Sequence, residues 1–91
     1  MNATATTWTA TVAVRVPARA DGDLASCACR RLETAPDFGG VDARSIRGVE
    51  PGLSATVVTL EVAVEAPGVD ERGVRRRLAD APGTERVDAV R

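Results

Sequence analysis

Thr7 to Val16, TWTATVAVRV, alternate without a break. Trp8, Ala10, Val12, Val14 and Val16 share one parity; Thr7, Thr9, Thr11, Ala13 and Arg15 share the other. A period of two is what a strand with one buried face requires, and Pro17 closes it. Ser54 to Ala66, SATVVTLEVAVEA, repeat the pattern more cleanly. Thr56, Val58, Leu60, Val62, Val64 and Ala66 point one way; Ala55, Val57, Thr59, Glu61, Ala63 and Glu65 point the other. Pro67-Gly68 ends that run.

Helical spacing appears twice. After ARADGD, with Asp21 or Asp23 as N-cap, Leu24, Ala28, Leu32 and Ala35 recur at intervals of four, four and three. Pro36 limits this helix, and Asp37 to Gly40 form a loop. The second helix starts at the cap Asp70, buries Val74, Leu78 and Ala81, and stops at Pro82-Gly83. Two weaker extended runs remain. Val41 to Glu50 alternates poorly: Val41, Ala43 and Val49 share a parity with Ser45 and Arg47, while Ile46 has the other. Gly48 there predicts a bulge that switches the face, and the arginines suit an edge strand. Arg86 to Val90 predicts a short last strand.

The predicted order is βαββαβ. The outward faces of the first and third strands are too polar to receive a helix, so both helices must cover one face. The expectation is an α+β, ferredoxin-like two-layer sandwich with a four-stranded antiparallel sheet. Its central strands are the first and third, which are also the two best alternating runs. Residues 7–91 are expected to form this single domain, preceded by a flexible N-terminal tail over residues 1–6.

Composition narrows the picture. The chain has 91 residues, enough for one small domain. Alanine and valine dominate the apolar set, with five leucines, one isoleucine, Phe38, Trp8 and no tyrosine. Twelve cations, all arginine, balance 13 acids for a net charge of −1. That balance predicts no nucleic-acid partner and no membrane partner. No run approaches the ~20 apolar residues of a membrane span, and MNATATTWTATV lacks the charged and apolar parts of a leader. A cytoplasmic location is the expectation.

Cys27 and Cys29 are the residues most suggestive of chemistry. On a helix they lie about 200° apart, so their sulfurs diverge to opposite flanks of the apolar stripe. The spacing is not the C-x-x-C of a redox helix, and no histidine exists to complete a zinc site. Neither a metal nor a cofactor is expected. Both thiols read as free, half-buried helix residues.

Arg75-Arg76-Arg77, with Arg72 one turn earlier, is the most basic stretch. Three consecutive residues spread over about 200° of helix, and Glu71 and Asp80 stand at ion-pair spacing, which predicts a solvated face. The uncovered sheet face would carry Thr9, Thr11, Ala13, Val57, Thr59, Glu61 and Ala63. Without aromatics it cannot bind single strands by stacking. It reads either as a wet threonine face or as a self-association surface, meeting a second copy face to face or at an edge. With no His, Lys or Tyr, any general base would have to be a carboxylate, and no catalytic residues are expected. An acylphosphatase-like reading fails because the one asparagine is Asn2, far from a second strand, although Arg19 could supply the arginine.

Ala20 to Ala25, ADGDLA, between a valine-rich strand and a helix, together with the closing PGTERVDAVR, resemble ACT and Lrp-type effector-binding domains. VAVRVPA and the final DAVR are similar to the small archaeal elongation factor 1-beta domain, whose F-G-L run is replaced here by Pro51-Gly52-Leu53. The ACT resemblance implies a small-molecule effector held by Asp21, Gly22 and Asp23 at the first helix N-terminus. The function expected is a non-catalytic interaction module acting by self-association or protein binding, with a homodimer or a protein partner. The alternative is an ACT-like sensor of a small-molecule effector.

Overall fold

The computed structural model describes residues 7–18, 22–34 and 38–91. The expected tail over residues 1–6, and Arg19, Asp21, Ala35, Pro36 and Asp37, lie outside the described residues. The elements are β1 (Thr7–Pro17), α1 (Leu24–Leu32), β2 (Gly40–Pro51), β3 (Ala55–Glu65), α2 (Glu71–Asp80) and β4 (Thr84–Val90). The strands form one antiparallel sheet in the order β2-β3-β1-β4. This is the ferredoxin-like arrangement.

The two alternating runs pair with each other, in unbroken register from Thr7↔Glu65 to Pro17↔Ala55. Period-two sequences on both strands place Val12 opposite Leu60 and Val14 opposite Val58 on one face. That face, with Ala28, Leu32, Val74 and Leu78 from the helices, forms the core, and all eight side chains are fully buried. Each such aliphatic contributes about 1.5–3 kcal/mol relative to exposure.

Local signals start and stop the helices. Asp23 accepts from the Ser26 N–H at 2.8 Å, and Asp70 accepts from the Gly73 N–H at 2.8 Å. Of the two N-cap candidates for α1, Asp23 takes the role. Gly83 follows α2 with φ +85°, where a Cβ would also meet the Arg15 carbonyl oxygen at 3.0 Å. The turn therefore needs glycine.

Four features differ from the sequence expectations. α1 ends at Leu32, short of Ala35, with Glu33 as its C-cap. Cys27 and Cys29 are buried rather than half-buried, at 7% exposure each, so the apolar stripe of α1 is wider than four-residue spacing suggests. β4 begins at Thr84 rather than Arg86. Finally, β2 carries two bulges rather than one: its ladder skips Arg44, between Ala43 and Ser45, and Arg47, between Ile46 and Gly48.

Those bulges resolve the poor alternation of β2. Each skipped residue flips the parity, so Val41, Ala43, Ile46 and Val49 pair with Val64, Val62, Leu60 and Val58 and share the helix side. Only Val41 is buried; Ile46 and Val49 remain about half exposed. α1 has nine residues, about 13.5 Å, against a 12-residue strand of about 40 Å. β4 repeats the device, skipping Glu85 and Asp88, so that Thr84, Val87 and Val90 all face the helices.

Candidate functional site: the open face of the sheet

The helices leave the other side of the sheet uncovered. Its centre is set by the β1–β3 register, which places Thr9 beside Ala63, Thr11 beside Glu61, Ala13 beside Thr59 and Arg15 beside Val57. The sequence-predicted residues Thr9, Thr11, Ala13, Val57, Thr59 and Ala63 thus lie together on one continuous surface. All but Ala13 are half-buried. Ala13 is fully buried although no layer covers it. Its methyl group is flanked by the longer side chains of its cross-strand neighbours Thr59 and Arg86.

One charge, Glu61, lies within this centre, and others border it. Arg47 reaches Glu61 at 3.6 Å, and Arg86 meets Asp88 at 2.8 Å. Register also puts Asp42 and Glu50 of β2 on the open side, in line with Ala63 and Val57. Arg91 joins from beyond β4, exchanging two backbone hydrogen bonds with Thr9, at 2.7 and 2.8 Å. Sequence reasoning placed Glu61 on this face but missed the edge-strand charges, because the bulges decide which edge residues face out. Both edges carry two bulges, which interrupts the ladder a further strand would extend.

The other candidates have local explanations. Among the predicted effector residues, Asp21 lies outside the described residues. Gly22 adopts φ +93°, and Asp23 is engaged in capping, with the Ser26 hydroxyl at 3.0 Å as well as the backbone N–H. The Ser26 backbone N–H, then its hydroxyl, hold the Asp23 carboxyl below its ordinary value of 3.8. Cys27 and Cys29 form no disulfide. The Cys27 Sγ lies 3.7 Å from the Arg30 guanidinium. Burial first, then the carboxylates of Glu33 and Asp42, push the Cys29 thiol above its ordinary 9.0, so it is neutral at physiological pH. Among the described residues no three Cys, Asp or Glu side chains converge as a metal site would require.

On α2 the triple-arginine run divides. Arg75 pairs with Glu71 at 3.7 Å, and Arg77 donates to the Gly73 carbonyl at 3.2 Å. Arg72, Arg75 and Arg76 border one shallow hollow together with Asp70. Among the described residues two side-chain polar atoms are buried without a protein partner, Trp8 Nε1 and Thr84 Oγ1. Both residues sit on the helix side, so neither belongs to the open face. No described helix is long and apolar enough to cross a membrane. No protein-family model, curated protein or solved structure matches the chain.

Proposed function

We propose that this protein is a non-catalytic module that works by self-association across the open face of its sheet. The observation that carries the reading is the uncovered centre of mostly small side chains, Thr9, Thr11, Ala13, Thr59 and Ala63, with Glu61 among them, held by Arg47, and Val57 and Arg15 at one end. The small side chains let a second sheet approach to about 10 Å over most of the face, with the Arg47–Glu61 pair as the one long-chained group to be accommodated at its middle. Edge-to-edge joining is the weaker route, because both edges are bulged.

The available area suits the purpose. Four strands spaced about 4.8 Å apart, over 7 to 12 residues, span roughly 450–750 Å² in projection. A standard interface removes about 800 Å² of accessible surface per partner, and corrugation makes accessible area exceed projected area.

Sedimentation equilibrium across a hundredfold concentration range tests the reading. The expected result is a rise from 9.5 kDa toward twice that mass. Thr59→Arg, which puts a large charge in a middle row of the face beside Ala13, should hold the protein at the lower mass without lowering its melting temperature much. A wild-type protein that stays monomeric at several hundred micromolar would refute self-association. If instead amino acids raised the melting temperature while the mass stayed fixed, the ACT-like sensor, with an effector at Asp21, Gly22 and Asp23, would replace it.

A further inference from the structure

Glu61 is the one long side chain at the middle of the open face. By register, Thr11 and Ser45 stand beside it across the strands, and Thr59 and Ala63 are its neighbours along β3. All four are small. The Glu61 side chain is 24% exposed, and that of its partner Arg47, from a bulge of β2, is 59% exposed. Their approach of 3.6 Å is long for a charge-assisted hydrogen bond, so both groups still depend on solvent. Asp42 adds a second carboxylate one diagonal away, beside Ala63.

The rows of the face run from Thr7–Glu65 to Pro17–Ala55, so Thr11–Glu61 and Ala13–Thr59 are its middle rows, and β3 and β1 are its middle strands. A two-fold axis that stacks two copies in full overlap passes over that middle, whether it runs along the strands or across them. Either axis leaves the two copies of Glu61 offset laterally by roughly 5–7 Å, one strand spacing or two residues along a strand. Stacking at about 10 Å then strips solvent from both carboxylates and from the guanidiniums that hold them.

Resting on the self-association reading, we infer that the Arg47–Glu61 pair sets the strength of the dimer with a second copy of this chain. It holds that dimer weaker than the small side chains around it would allow. Withdrawing an ion pair from water costs more than its internal attraction returns unless the geometry is close, and 3.6 Å is not close. Removing one member alone is worse, because a bare charge then enters the interface near its own copy. Neutralising both members therefore tightens the dimer, and neutralising Arg47 alone weakens it.

Sedimentation equilibrium on Arg47→Met/Glu61→Met and on Arg47→Met alone tests this. Methionine keeps an unbranched side chain at both positions without the charge. The double variant should lower the dissociation constant about tenfold or more, with the mass levelling at twice 9.5 kDa. Arg47→Met alone should raise it about tenfold or more. Adding Thr59→Arg to the double variant should return it to the monomer mass, as a contact through the open face requires. Both methionine variants should melt as wild type does where the monomer predominates, because an exposed pair contributes little to folding. Arg47→Leu/Glu61→Leu repeats the comparison should the methionine pair fold poorly. Monomeric wild type would refute self-association and this inference with it. Wild-type dimers whose double variant binds no more tightly, or whose single variant binds normally, would refute the role of the pair alone.

Discussion

Leu60 and Leu53 allow one chemical change to be made at two extremes of the structure. Leu60 sits mid-β3, opposite Val12 on one side and Ile46 on the other, and is fully buried. Leu53, in the β2–β3 turn, is exposed at 106% of its reference area. Truncating a fully buried leucine to alanine costs about 2–5 kcal/mol, through lost transfer energy and the cavity left behind. The remaining core is mostly valine and alanine, and only Leu32, Leu60 and Leu78 exceed valine among the fully buried side chains. With few large neighbours able to fill the gap, we expect about 3–4 kcal/mol for Leu60→Ala. For a domain of this size that lowers the melting temperature by roughly 12–30 °C. Leu53→Ala should stay within about 0.5 kcal/mol of wild type. Urea unfolding followed by Trp8 fluorescence gives both values at one protein concentration. A Leu60→Ala cost below about 1 kcal/mol, or a Leu53→Ala cost matching it, would refute the assignment of β3's even positions to the core.

Two further outcomes follow from particular groups. Thr84→Val removes a hydroxyl buried without a partner at nearly constant volume, and should raise unfolding free energy by about 1 kcal/mol. A loss of stability would show that the hydroxyl is satisfied in solution. The Asp23 carboxyl is held below 3.8 by its cap bonds, so its contribution is present above that pH and is lost as pH falls through the folded value. Asp23→Asn should therefore flatten the stability loss between pH 5 and 3, and an unchanged slope would contradict the capping account.

Sequence alone determined the elements whose residues answer to one local rule. Strict alternation marked β1 and β3 as central strands, because a strand flanked on both sides keeps its pleat regular. Asp70, Pro67-Gly68 and Pro82-Gly83 marked the limits around α2, because caps and turns depend on a few adjacent residues. From these the βαββαβ order and the identity of the open face were readable.

Tertiary structure decided the borders. Ala43, Ile46 and Val49, like Thr84, Val87 and Val90, recur every third residue, a period belonging to neither a regular strand nor an α-helix. Only pairing with the regular neighbours β3 and β1 shows that bulges at Arg44, Arg47, Glu85 and Asp88 absorb the extra residues. The same pairing sets which charges frame the open face. The burial of Cys27 and Cys29 likewise depends on how α1 seats on the sheet. Alternation and capping are short-range effects written into neighbouring residues, whereas edge register and burial are settled by a partner strand or layer distant in the chain.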